Sequence, residues 1–300
     1  MLLLLAAVAL ACSQAPCVDS SATLNATGLA GDAYFGSAVA ALSSSLLAVG
    51  AVSLASGADQ AGTVRLLSLS ADGHVQSETE LLGVGQQDGA RFGTALAALA
   101  DLDGDGLPEL VVGATENGNG NALSAPGSVY VLFSGSAFAQ YARISEGVGG
   151  FAAGLDAGDE FGSSLSAMPD MDGDGVPELA VAANAYQDVH STAYQINGAV
   201  YLLYLRANAT VKQQVALTNG AAGFTPTPIK YFGKSLAHVP GVGGDGAFAL
   251  AVGGTRSSFS YGAVFILLLD SSGAVTSYAE VRSARRSHAC LHPCAATTLA

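Results

Sequence analysis

The chain has 300 residues, half of them apolar, yet only 12% are Asp, Glu, Lys or Arg while 38 are Gly. That balance supports a large core and favours short elements joined at turns over long charged helices. With 24 acidic residues against 11 Lys and Arg, and a net charge of -13, nucleic-acid binding is excluded and cations are the expected counterparts.

Residues 1–11 form an apolar run too short to span a bilayer, closed by Ala9-Leu10-Ala11, the small-x-small pattern of a cleaved secretory signal. Two further features agree with a secreted or extracellular chain. Asn25 and Asn208 head Asn-Ala-Thr glycosylation sequons, and the cysteines fall in two close pairs, Cys12 with Cys17 and Cys290 with Cys294. Three disulfide connectivities are open. His288, Cys290, His292 and Cys294 alternate along the chain, but in an extended strand they would spread over about 20 Å, too far to share a zinc ion. No later stretch reaches membrane length, so no transmembrane segment is expected in this chain.

Between these ends one unit occurs four times. It opens with Phe-Gly at Phe35-Gly36, Phe92-Gly93, Phe161-Gly162 and Phe232-Gly233, followed by an alternating run (SAVAAL, TALAAL, SSLSAM, KSLAHV). A second apolar run ends in small residues (LLAVGA, ELVVGA, ELAVAA, ALAVGG), and a third opens with Gly at 62, 127, 198 and 262. A more polar fourth run closes each unit: QSETELL, QYARIS, VKQQVAL and TSYAEV. Runs of five to eight residues, rich in Val and broken by Gly, predict β-strands rather than helices. The gradient from apolar inner to polar outer strand is that of a radially packed blade, and the small residues let neighbouring blades approach. The expected fold is all-β, a β-propeller over 18–282, with units at about 31–84, 88–147, 157–218 and 228–282 and an irregular tail at 283–300.

The Phe-Gly start, the DLDGDGLPEL stretch at 101–110 and the VVGA ending together resemble FG-GAP repeats, as in the propeller of integrin α subunits and the repeat region of glycosylphosphatidylinositol-specific phospholipase D. The resemblance covers about 31–282 and is strongest in units two and three. The integrin propeller has seven blades and this chain supplies four, which leaves a small ring, an open arc or an incomplete gene product. The stretch VDSSATLNA at 18–26 resembles an outer strand without a blade of its own. By analogy with integrins it would pair near the fourth unit.

In DLDGDGLPE the carboxylates Asp101, Asp103, Asp105 and Glu109 stand at loop positions one, three, five and nine, and Asp170, Asp172, Asp174 and Glu178 repeat them. Alternate residues of an extended strand are nearly 7 Å apart, so the chain must curl before such groups can share one ion, and the interleaved glycines permit the curl. Position seven, Leu107 or Val176, is expected to turn its backbone carbonyl inward. Oxygen ligands without His or Cys favour Ca²⁺ over zinc or copper, whereas a hairpin turn alone needs one Asp-Gly. An EF-hand would need Glu at position twelve, where Val112 and Val181 stand. Two Ca²⁺ sites per chain are expected, because the first unit lacks the loop and the fourth keeps only Asp245, with Gly241, Gly243 and Ala249 at the other ligand positions.

All ligands of each ion belong to one loop, so the ions are expected to be structural. In integrins these loops face away from the ligand-binding surface. The opposite surface carries two long connections, 115–126 and 184–197. The second holds Tyr186, Asp188, His190 and Tyr194, candidates for contact with an extracellular protein or glycan ligand. No nucleophile elbow, zinc-protease helix motif or phosphate loop is present, and the acids are too clustered to work as a glycosidase pair. The expectation is an adhesion or ligand-binding module and not an enzyme, with an accessory propeller region of a secreted hydrolase as the alternative.

Overall fold

The computed structural model describes residues 33–53, 61–81, 90–115, 125–186, 198–218, 224, 230–244, 246–255 and 262–282. They form sixteen strands in four antiparallel sheets, each taken in chain order without crossover. Blade 1 comprises β1 (Ala33–Ala41), β2 (Leu46–Ser53), β3 (Thr63–Leu69) and β4 (Val75–Leu81). Blade 2 comprises β5 (Phe92–Leu99), β6 (Glu109–Ala114), β7 (Ser128–Leu132) and β8 (Tyr141–Ser145). Blade 3 comprises β9 (Phe161–Ala167), β10 (Leu179–Ala183), β11 (Ala199–Leu205) and β12 (Val211–Leu217). Blade 4 comprises β13 (Lys230–His238), β14 (Phe248–Thr255), β15 (Gly262–Leu269) and β16 (Val275–Arg282). The four predicted units are thus four blades of a propeller, and no hydrogen bonds close a ring between blade 4 and blade 1 among the described residues.

The burial gradient follows the sequence. In the two middle blades the second and third strands are buried at every position, whereas β4 alternates between exposed and half-buried residues until it ends at Leu81. An inner strand covered on both faces carries apolar side chains throughout, and adjacent residues serve opposite neighbours. Val112 joins Val64, Leu66, Phe92 and Leu110 between blades 1 and 2, while Val111 joins Val131, Phe161 and Val181 between blades 2 and 3. A third cluster, with Val200, Leu202, Phe232, Leu250 and Phe265, lies between blades 3 and 4. The three cores are therefore the three joints. Blade 1 departs at one inner position, where Arg65 stands in place of Tyr130, Tyr201 and Phe265. Its buried guanidinium is paired with Glu78 at 3.4 Å and Glu80 at 3.1 Å on the neighbouring strand β4.

Each joint is made backbone to backbone at the Phe-Gly start of the next blade. The Phe92 N–H donates to the Ala61 carbonyl at 2.7 Å, and the Phe161 N–H to the Pro126 carbonyl at 2.7 Å, with parallel bridges from Gly62 to Phe92 and from Gly127 to Phe161. The glycine of the Phe-Gly pair holds φ between +88° and +93° in all four blades, where other residues are strained, and the first strand changes register beside it. A methyl group on Gly50 would collide with the Gly93 carbonyl oxygen, and one on Gly113 with the Gly162 carbonyl oxygen. The small residues at the ends of the second strands are required by this approach. The stretch 18–26 lies outside the described residues, and the outer position of blade 4 is already filled by β16.

Replacing Gly113 by Ala is expected to force blades 2 and 3 apart and to lower stability by about 2–3 kcal/mol. Gly253→Ala, at the matching position of blade 4, crowds only the Ser235 hydroxyl of its own blade, which can rotate away, and should cost far less. Urea denaturation of the two variants against the parent measures the difference.

Candidate metal centre

The loops between β5 and β6 and between β9 and β10 bring the eight predicted carboxylates into two groups of four. In each, one oxygen from every carboxylate lies within 4.8 Å of the others. Oxygens that share a cation at about 2.3–2.6 Å fall within that separation of one another, so the spacing is compatible with one hard ion per group. Left to themselves, two carboxylate charges at this distance repel by about 3 kcal/mol at an effective dielectric near 20.

Local hydrogen bonding sets the curl. Asp101 accepts the N–H groups of Gly104 at 2.8 Å and Gly106 at 2.9 Å, and Asp105 accepts that of Leu107 at 2.8 Å. Blade 3 repeats this, with Asp170 accepting from Gly173 and Gly175 at 2.7 Å each and Asp174 from Val176 at 2.9 Å. The four loop glycines take φ from +80° to +88°, which permits the tight path. The Leu107 side chain is exposed and Val176 half-buried, and both residues enter the loop network through their N–H groups.

The glutamates differ from the aspartates. Glu109 and Glu178 are fully buried at the entrance to the second strand, while their aspartates lie at the surface. Oε2 of Glu109 accepts the Leu102 N–H at 2.7 Å, and Oε2 of Glu178 accepts that of Met171. Oε1 of each is buried without a hydrogen-bond partner. A buried carboxylate oxygen without a donor is costly, and a cation among the four carboxylates would satisfy it. Burial pushes both glutamates up to about 7, against the opposing pull of the Leu102 and Met171 N–H groups and with further upward pressure from the neighbouring aspartates.

The two loops are not equivalent. In blade 3 the Lys212 ammonium on β12 sits on Asp172, at 2.9 Å, and on Asp174, whose carboxyl it draws below its ordinary range. In blade 2 the corresponding space is taken by the tight turn Ser134–Ser136: Gly135 packs against Asp105 and the Ser134 hydroxyl donates to the Pro108 carbonyl. Lys212 was not foreseen from the sequence, because it lies on the outermost strand of its blade, far along the chain. The blade 1 turn, 42–45, carries no carboxylate, and in blade 4 Gly241, Gly243 and the buried Ala249 occupy ligand positions, with Asp245 outside the described residues.

Of the ligand-contact candidates, Tyr186 is half-buried against the core between blades 2 and 3, and its backbone carbonyl accepts the Gly198 N–H at 3.1 Å. Asp188, His190 and Tyr194 lie outside the described residues, as does Asn25. Asn208 is exposed in the β11–β12 hairpin, where its Oδ1 accepts from the Thr210 hydroxyl at 2.7 Å. Among the described residues no helix is long and apolar enough to cross a membrane.

A family model for the FG-GAP repeat matches residues 92–132 and 161–203, the first three strands of each blade that carries an acidic loop. The chain is 30% identical to Integrin alpha-PS5 of Drosophila melanogaster over 204 residues, 67% of this chain and 18% of that one. It is 33% identical to Integrin alpha-7 of Homo sapiens over 127 residues, 42% of this chain and 10% of that one. The chain therefore spans less than a fifth of the length of these relatives. Among solved structures, a thermostable family-43 glycoside hydrolase is similar at a TM-score of 0.44 and 11% identity, over 85% of this chain and 74% of that one.

In ion-free protein the folded state keeps protons on Glu109 and Glu178 that the unfolded chain releases near pH 4.5. A carboxyl raised on folding contributes its full stability below the unfolded value, and that contribution is lost as pH rises toward about 7. The loss is on the order of 3 kcal/mol for each buried glutamate. The melting temperature in chelator should therefore fall between pH 5 and 8, and the Glu109→Gln, Glu178→Gln double variant should flatten that fall.

Proposed function

The chain carries FG-GAP repeats and is similar to integrin α chains, and from that premise we propose that it is an extracellular ligand-binding or adhesion module whose middle blades are each fastened by a Ca²⁺ ion. The observation that carries the metal reading is the orphaned Oε1 of Glu109 and of Glu178, each buried beside three aspartates within ligand distance of one another. Asp101, Asp103, Asp105 and Glu109 would hold one ion and Asp170, Asp172, Asp174 and Glu178 the other, with Leu107 and Val176 offering backbone carbonyls. The ion's contribution is structural: it offsets the repulsion within each loop and fixes the turn that joins the first two strands of the blade. A binding role fits better than catalysis because Glu109 and Glu178 are fully buried, out of reach of any substrate. The surface opposite the loops, rooted at Tyr186, is the one proposed to meet a protein or glycan. Secretion through residues 1–11 and glycosylation at Asn25 and Asn208 belong to the same reading.

Calorimetric titration of chelator-treated protein with Ca²⁺ should resolve two sites, and saturation at a hundredfold excess over Kd should stabilise the fold by about 3 kcal/mol per site. The Asp103→Ala, Asp172→Ala double variant should lose both the heat and the stabilisation, and a parent that shows neither overturns the metal reading. On a glycan and extracellular-protein array the Ca²⁺-loaded chain should bind a defined set of ligands. Turnover in a hydrolase screen without such binding would overturn the binding role.

Lys212 makes a separate expectation. It is a tethered cation on two of the blade 3 ligands, so it competes with the ion there. In an Asp103→Ala background, which leaves only the blade 3 site, Lys212→Met should tighten Ca²⁺ by about three- to tenfold.

A further inference from the structure

The two acidic loops share a ligand set but differ in what already engages its oxygens. In blade 2, Oδ1 of Asp103 accepts the Asp105 N–H at 3.2 Å and Oδ1 of Asp105 accepts the Leu107 N–H, while Oδ2 of each accepts no hydrogen bond among the described residues. The adjoining turn leaves them open. Gly135 has no side chain to press on Oδ2 of Asp105, where an added methyl group would strike, and Ser134 ties the loop down at the Pro108 carbonyl, which belongs to none of the ligand residues.

In blade 3 every oxygen of the matching pair is engaged. The Lys212 ammonium donates to Oδ1 of Asp172 at 3.2 Å, lies 2.9 Å from Oδ2 of the same carboxylate, and also holds Oδ2 of Asp174, whose Oδ1 accepts the Val176 N–H at 2.9 Å. The lysine side chain is 19% exposed against 33% for Asp172 and 42% for Asp174, so the most shielded member of the group is the cation. Because Lys212 stands on β12, these contacts tie the loop to the outermost strand of its own blade.

An ion held by all four carboxylates of blade 3 needs one oxygen from Asp172 and one from Asp174, and those oxygens already carry the ammonium. A divalent cation and an ammonium on the same two carboxylates repel each other strongly, so one of them leaves. Lys212 is able to leave, because its four-carbon stem is flexible and its charge is well solvated in water. We propose that blade 3 is an ion-exchange site: Ca²⁺ enters by expelling Lys212 from Asp172 and Asp174, and the ammonium swings out to solvent on the outer strand, whereas Ca²⁺ enters blade 2 without displacing a side chain. The inference rests on the metal reading and adds to it an order and a consequence. Blade 2 fills first as Ca²⁺ rises. Filling of blade 3 then unties its loop from β12 and displays at the rim a cation that the Ca²⁺-poor protein keeps covered.

Limited acetylation of the full chain, read by peptide mass spectrometry, tests this, because the chain's two other lysines, Lys230 and Lys234 on β13, serve as internal references. In chelator the parent should react at Lys212 about three- to tenfold more slowly than the Asp172→Asn, Asp174→Asn variant, whose ammonium has lost its partners. Saturating Ca²⁺ should raise Lys212 of the parent to the rate of that variant and leave Lys230 and Lys234 unchanged. The rise should persist in an Asp103→Ala background, since it belongs to blade 3. Calorimetry on the same samples separates the two readings. Two filled sites with Lys212 still protected overturn the exchange and leave the metal reading standing. One filled site with Lys212 still protected makes the lysine a permanent substitute for the ion and overturns the exchange as well. Lys212 that reacts in chelator as fast as in the double variant does the same. The absence of any Ca²⁺ heat removes the metal reading, and the exchange with it.

Discussion

The architecture rests on one steric constraint: the backbone of each blade approaches the backbone of the next at the Phe-Gly step, with no room for a side chain between them. Everything near that contact follows from it. The second strands of blades 1 and 2 place Gly50 and Gly113 at that contact, and blade 3 accommodates Ala182 only by resting its methyl group against Gly233. The phenylalanine turns away from the contact into the core of its joint, where Phe151 stacks on Phe161 at 4.6 Å and Phe224 on Phe232 at 5.0 Å. Dispersion and area burial accumulate at the joints because the inner strands have no other apolar surface to cover. Charge is kept out of the three clusters: Arg65 of blade 1 stands on the face of β3 opposite Val64 and Leu66, held by two glutamates of its own sheet.

Much of this was legible in the sequence because a propeller is periodic. A Phe-Gly pair, a small-residue ending and a Gly-opened third strand each mark a contact that recurs, so four weak signals in register replace one strong one. The acidic loops were legible for a related reason: four carboxylates in fixed spacing have few uses other than convergence. The hidden features depend on distance along the chain or on depth. Lys212 reaches the blade 3 loop from the far side of its sheet, and no local spacing announces that. The burial of Glu109 and Glu178 follows from their place at the start of an inner strand, although they were counted as ordinary loop ligands. Phe151 and Phe224 belong to none of the sixteen strands, yet they complete the joints.

The acidic loops and the joints are not independent devices. Between the first and second aspartates of each loop stands an apolar residue, Leu102 or Met171, whose N–H is accepted by the buried glutamate and whose side chain enters the core shared with the next blade. The glutamate whose Oε1 lacks a hydrogen-bond partner therefore also holds the residue that the loop contributes to the joint. Blade 1 supplies the same apolar contact, Leu42, from a turn of four residues without any carboxylate. Contact with the next blade is thus obtainable without a metal. What the longer loops add is a charge-dependent hold on it: under the proposed metal reading, an ion that neutralised the carboxylates would keep the curl of the loop and the anchor of Leu102 or Met171. With the carboxylates bare, their mutual repulsion acts directly on that anchor. Cation occupancy would then be felt at the contact between blades 2 and 3 and at the contact between blades 3 and 4, while the contact between blades 1 and 2 stays indifferent to it.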